Sequence, residues 1–209
     1  MPGLVVAAAL AALLFAPAAA RGQPGSPAEI ALQQENASSA AFRYRAAIAG
    51  LLQLKPGMVA AEVGAGSGFE ARAMCSQVGP GGRVIASTLD PGMVAYMTER
   101  ARAEGLQNFT AVLGEPASTG LPPASIDAAV VVNAFSAFTR QADMLQSIAA
   151  SLKPGGALLI VDLPREGLGA AQIGIDADDL VKLAAAAGFK REAESSVVPG
   201  QYAIRFRKP

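Results

Sequence analysis

Residues Val59–Ala71, VAAEVGAGSGFEA, decide the fold. An apolar strand ends in Glu62 and Val63, the chain passes through Gly64-Ala65-Gly66-Ser67-Gly68, and a helix follows at once. Glycines in such a loop let the backbone approach a ligand closely, and the helix N-terminus offers N–H groups that have no partner within the helix. This is how a loop for a nucleotide-type ligand is written, although a tight turn between strand and helix can be written the same way. Spacing discriminates further. A dinucleotide fingerprint requires G-x-G-x-x-G, whereas position 69 is Phe and the loop reads G-x-G-x-G, which disfavours a nicotinamide-dependent oxidoreductase.

Upstream, the pattern predicts a helix over about Ser38–Leu54, stopped by Lys55-Pro56-Gly57, and a buried strand at Met58–Val63. Downstream, the helix that leaves the loop runs to about Val78, where Gly79-Pro80-Gly81-Gly82 breaks it. Strand two is Arg83–Thr88, a helix follows from Pro91 to Arg102, and strand three is Phe109–Leu113. Strand four, Ile126–Asn133, is apolar on both faces after Asp127, as in a central strand covered on each side. A helix over about Gln141–Leu152 and a turn at Lys153-Pro154-Gly155-Gly156 lead to strand five, Ala157–Asp162. A helix at Asp176–Ala187 and two closing strands, Phe189–Ser195 and Gln201–Arg207, complete the chain. Strands alternating with helices specify an α/β fold with a parallel sheet.

The 209 residues suit one domain, and 22 Gly with 14 Pro stay below the content of a low-complexity chain. Lys and Arg (17) balance Asp and Glu (17), so no basic footprint marks a nucleic-acid partner and the expected partner is a small molecule. Cys75 is the single cysteine, which excludes an internal disulfide framework, and it reads as a small buried hydrophobe. Histidine is absent, which removes the commonest general base and the commonest metal ligand; no metal site is predicted.

Residues 1–20 carry no charge, and the apolar run Leu4–Ala16 is too short to span a membrane. With Ala18-Ala19-Ala20 as a small-residue cleavage site, the segment reads as an export signal. If that signal is genuine the protein is exported, periplasmic or secreted, with no stable membrane span after cleavage; otherwise it is cytoplasmic. Residues 21–37 read as a linker and N-terminal extension, with Arg21–Pro27 disordered, and 38–209 as the domain.

Taken together, the glycine loop after an acidic residue and, about ninety residues later, Leu152-Lys153-Pro154-Gly155-Gly156 before an apolar strand ending in Asp162 resemble the class I S-adenosylmethionine-dependent methyltransferases. The resemblance runs from about Ala41 to Arg207. It implies a three-layer Rossmann-like methyltransferase fold, a seven-stranded sheet in the order 3-2-1-4-5-7-6 with strand seven antiparallel. It implies S-adenosylmethionine as cofactor and methyl transfer to an unidentified small molecule. Carried over by position, Glu62, Gly64, Ala65, Gly66 and Gly68 hold the methionine end of the cofactor. Thr88, Leu89 and Asp90 fall at the ribose, Glu115 near the adenine amino group, and Asn133 where donor methyl and acceptor meet.

Two departures stand out. Relatives usually end strand two in an acidic residue that grips the ribose hydroxyls; here the place is Thr88, with Asp90 two residues beyond. After strand four the chain reads Asn133-Ala134-Phe135-Ser136-Ala137-Phe138, plainer than in relatives with aromatic and histidine residues there. Phe135 and Phe138 are candidates for the acceptor cavity or for the core, Asp162 and Glu62 are the candidate bases, and no catalytic base is assigned. The alternative reading is a non-catalytic protein that keeps the fold with weakened or lost cofactor binding. Residues 163–175 are the one plausible cover for the site.

Overall fold

Alanine-rich and β-branched runs such as 59–63 and 126–132, each with one acidic residue near an end, can be strands only where both faces are covered, and that condition places both at the centre of the sheet. The computed structural model describes residues 25–166 and 174–209. Its seven strands are β1 (Val59–Val63), β2 (Arg83–Thr88), β3 (Phe109–Leu113), β4 (Ile126–Val132), β5 (Leu152–Asp162), β6 (Lys190–Ser195) and β7 (Tyr202–Arg207). They form one sheet in the order β3-β2-β1-β4-β5-β7-β6, in which β7 runs antiparallel to both of its neighbours. This is the order and direction that the resemblance implies.

Alternate residues of β4 serve two cores. Ala128, Val130 and Val132 pack under α2 (Ala40–Leu51), α3 (Phe69–Val78) and α4 (Pro91–Ala103), beside Ile48, Met74 and Met97. Ala129 and Val131 face α5 (Gln141–Ser151) and α6 (Ala177–Ala186), beside Leu145, Ile148 and Leu180. Cys75 is buried in the first of these cores. Among the described residues no helix is long and apolar enough to cross a membrane.

The element bounds differ from the sequence reading at three informative places. Ser26 and Pro27, read as the end of a disordered linker, instead start a helix, α1 (Pro27–Gln34). Ser26 Oγ accepts the Glu29 N–H while Glu29 returns a hydrogen bond to the Ser26 N–H, a capping box with Pro at the first helical position. The second helix is shorter at both ends than predicted, capped by Ser39 and closed before Gln53, which takes a left-handed φ of 54°. Lys153-Pro154-Gly155-Gly156 is not a free turn: the segment belongs to β5, where the register with β4 shifts and Gly155 and Gly156 bond to Lys208.

The segment read as an export signal, 1–20, the part of the expected linker up to residue 24 and the middle of the candidate cover, 167–173, lie outside the described residues. The flanks of that cover are joined, since Ile175 N–H donates to Leu163 O at 3.0 Å.

Candidate cofactor site

The carboxyl ends of β1, β2 and β4 converge on the glycine loop, the place where a strand order that reverses leaves a crevice. Three loop glycines have left-handed backbones, with φ of 77° at Gly64, 48° at Gly66 and 73° at Gly68. Space demands glycine as much as φ does. A Cβ on Gly64 would lie 2.8 Å from Ala134 Cβ and 3.1 Å from the Phe138 ring; one on Gly68 would lie 2.6 Å from Met97 Sδ. Gly68 thus serves the packing of the loop on α4.

Gly64 N–H and Ala65 N–H both donate to Ser87 O at 2.9 Å, which ties the loop to the end of β2. Ser67 N–H donates to Gln34 Oε1 at 2.8 Å, so the last residue of α1 reaches into the loop from outside the sheet. Arg72, one turn into α3, clamps the same region. Its guanidinium donates to Ser67 O at 2.8 Å and pairs with Glu35 at 2.8 Å and Glu104 at 3.1 Å.

Glu62 is buried at the end of β1, and its Oε2 accepts the Ala71 N–H at 2.8 Å. That N–H is one of the unpaired donors of the first turn of α3, so Glu62 caps the helix from a neighbouring strand. Burial pushes its carboxyl up to about 8, opposed by the Ala71 N–H and by Arg72. Glu70, in the first turn of α3, is fully buried with neither oxygen hydrogen-bonded. Burial, and then the charge of Glu62, raise it to about 9.

Two small cavities meet at Gly64. The first, about 110 Å³, is lined by Gln34, Ser39, Glu62, Gly64, Ala65, Gly66 and Asn133, among others. The second, about 80 Å³, is lined by Gly64, Ser87, Thr88, Leu89, Pro116 and Phe138, among others. Asn133 leaves β4 with a left-handed φ of 51° and donates its N–H to Val161 O at 2.8 Å. Such a conformation is uncommon outside glycine and best tolerated by Asn and Asp.

The structure therefore brings Glu62, Gly64, Ala65, Gly66, Thr88, Leu89 and Asn133 to the cavity walls. Asp90 and Glu115 line neither. Asp90 caps α4, its Oδ1 accepting Gly92 N–H at 2.7 Å. Glu115 is exposed in a tight turn whose backbone pairs with Ser118. Phe135 is core, and Phe138 crosses it edge-on at 5.8 Å while lining the second cavity. Asp162 accepts from Ser136 N–H, Ser136 Oγ–H and Leu163 N–H at 2.9, 3.1 and 2.8 Å, which fixes the 3-10 turn Phe135–Ala137 that presents Phe138. Gln34, Glu70 and Arg72 were not found by sequence reasoning. The capping-box spacing Ser26-x-x-Glu29 is the signal that would have placed α1, and Gln34 with it.

Residues 60–156 match the family model described as "Methyltransferase domain". The chain is 33% identical over 110 residues to the protein-L-isoaspartate O-methyltransferase of Methanopyrus kandleri, covering 53% of this chain and 46% of that protein. It is 26% identical over 115 residues to the ubiquinone/menaquinone biosynthesis C-methyltransferase of Ectopseudomonas mendocina, covering 54% and 45%. The chain thus spans about half the length of the curated relatives it matches. Among solved structures, a SAM-dependent methyltransferase from Aquifex aeolicus superposes with a TM-score of 0.77 at 21% identity, over 89% of this chain and all of that one. The family match thus lies in the middle of the chain, from β1 to the start of β5, and the fold as a whole is that of the superposed methyltransferase.

Proposed function

We propose that the protein transfers the methyl group of S-adenosylmethionine to a small molecule whose accepting atom arrives already ionised, a carboxylate being the chemistry that fits best. One observation carries this reading. Of the described residues that line the two cavities, Glu62 alone can titrate, and burial raises its carboxyl to about 8. Asp162 lines neither cavity, and its two oxygens accept three hydrogen bonds.

The residues present fit the cofactor. Gly64 lines both cavities, and Gln34 Oε1 already occupies the position of an acceptor on Ser67 N–H. Gly66 and the side-chain amide of Gln34 suit the amino-acid end, while Thr88, Leu89 and Phe138 form the wall for the nucleoside. When bound, S-adenosylmethionine would supply a sulfonium methyl for transfer to the carboxylate oxygen. No proton has to move. Opposite charges are neutralised along that path, which a water-poor, apolar wall such as Phe138 favours, and alignment by the loop supplies much of the acceleration.

The test is methyl transfer from labelled donor to simple carboxylates, phenols and amines over a range of pH. Carboxylates methylated at a rate that is flat above their own pKa support the reading. Transfer confined to phenols or amines, rising with pH, contradicts it.

A second reading, a protein that keeps the fold with weakened cofactor binding, is favoured by one feature: no carboxylate faces the cavity at the end of β2. Thr88 stands there, and Asp90 is engaged as a helix cap.

A further inference from the structure

At the opposite end of the sheet from the glycine loop lies a cavity of about 270 Å³, where β1, β4 and β5 begin and β7 ends. Its wall includes Lys55, Lys153, Arg205 and Arg207, four cations in a chain whose formal net charge is zero. Their acidic partners are two. Asp127 pairs with Lys153 at 2.8 Å and also accepts the Val59 N–H at 2.8 Å. Glu192 pairs with Arg207 at 2.6 Å and lies 3.3 Å from Arg205 Nε. The cluster therefore keeps an excess of two positive charges.

Arg205 makes that excess significant. Its side chain is nine-tenths buried, and among the described residues its Nε has no hydrogen-bond partner and its ion pair is with Glu192. Burial pulls its guanidinium below the ordinary value, with Glu192 opposing and Arg207 adding to the fall. A buried Nε–H without an acceptor is costly, because the hydrogen bond that water would supply is missing. Oxyanions supply such an acceptor, and guanidinium with ammonium is a donor set that phosphate oxygens match.

We propose that this cavity is a second ligand site, which binds a small molecule through a phosphate or pyrophosphate group held by Arg205, Lys55, Lys153 and Arg207. The volume is several times that of one water, about 30 Å³, so there is room for more than a lone ion. β1 spans five residues between this cavity and the glycine loop, at about 3.3 Å per residue, so a ligand here does not share atoms with one in the cofactor cleft.

Calorimetry on the full chain with pyrophosphate and with inorganic phosphate, at matched ionic strength, tests the site. The wild type binds pyrophosphate with a dissociation constant below about 1 mM. Lys55→Ala, at an exposed position, weakens binding about tenfold, and Arg205→Gln weakens it further. Saturating S-adenosylhomocysteine leaves the affinity unchanged. No binding up to about 10 mM overturns the proposal. So does pyrophosphate binding that Lys55→Ala leaves intact, competition by S-adenosylhomocysteine, or citrate that binds as tightly as pyrophosphate. If Arg205→Gln fails to fold, Lys55→Ala and Lys153→Ala still decide the matter.

Discussion

Gln34 Oε1 accepts the Ser67 N–H at 2.8 Å, across 33 residues of chain, and so joins the end of α1 to the centre of the glycine loop. A Cβ on Gly66 would come within 2.5 Å of the same oxygen, which puts the Gln34 amide against the loop backbone. The helix that carries it is held at its start by the capping box and just past its end by the Glu35–Arg72 ion pair. What reads in sequence as an extension is a wall of the site.

Because Oε1 is engaged by Ser67, the amide nitrogen is the part of Gln34 left to face a ligand. Gln34→Ala is expected to weaken S-adenosylhomocysteine binding about tenfold, the scale of a lost hydrogen bond to a charged group. Gln34→Glu keeps an acceptor for Ser67 but replaces a donor by a negative charge, and it should weaken binding more. Calorimetry on the two variants reads both effects; tighter binding by Gln34→Ala would mean that the amide obstructs the cleft.

Glu70 gives the protein an unusual pH dependence. Its carboxyl is raised from 4.5 to about 9 in the folded state, so the folded protein holds a proton that the unfolded chain releases. Stability from this group is fully present below about pH 4.5 and is lost as pH rises towards 9. Glu70→Gln, uncharged at every pH, should flatten that slope and stabilise the protein at pH 8 by about 3 kcal/mol. Denaturant unfolding of both proteins from pH 5 to 9 checks the sign; parallel slopes would show that Glu70 is not the cause.

Thr88 stands where relatives carry a ribose-binding acid. With its side chain at the wall of the second cavity, Thr88→Asp should raise cofactor affinity about tenfold. Unchanged affinity would mean that the ribose is held elsewhere.

Asp162 positions Phe138 by holding Ser136. Asp162→Asn replaces one acceptor by an amide donor that faces donors already in place, and it should cost about 1–3 kcal/mol of stability. The pH profile of methyl transfer should stay where it is. A profile displaced by the substitution would make Asp162 a base.

The fold was legible because its signals are local and repeated. Alternating strands and helices, Gly-Pro breaks at 79–82 and the apolar run of β4 each carry their own meaning, and the strand order was implied by the family resemblance that the loop and the Leu152–Gly156 segment carry. The cavity walls were legible where backbone conformation demands a residue type, as at Gly64, Gly66 and Asn133. Partners distant in sequence were not. Asp90 and Glu115 sit at plausible positions after their strands, but their side chains are a helix cap and an exposed turn residue. Arg72 and Gln34 reach the loop from α3 and α1, and the spacing along the chain carries no trace of that approach.

The central claim is that the glycine loop holds S-adenosylmethionine, and binding of S-adenosylhomocysteine measured by calorimetry on the wild type and on Gly66→Val tests it most directly. A branched side chain at φ 48° cannot sit in this loop without moving both the backbone and Gln34. Micromolar binding by the wild type, lost in a variant that still shows the native circular dichroism, is the predicted result. No binding by folded wild type, or equal binding by the two proteins, would contradict the account.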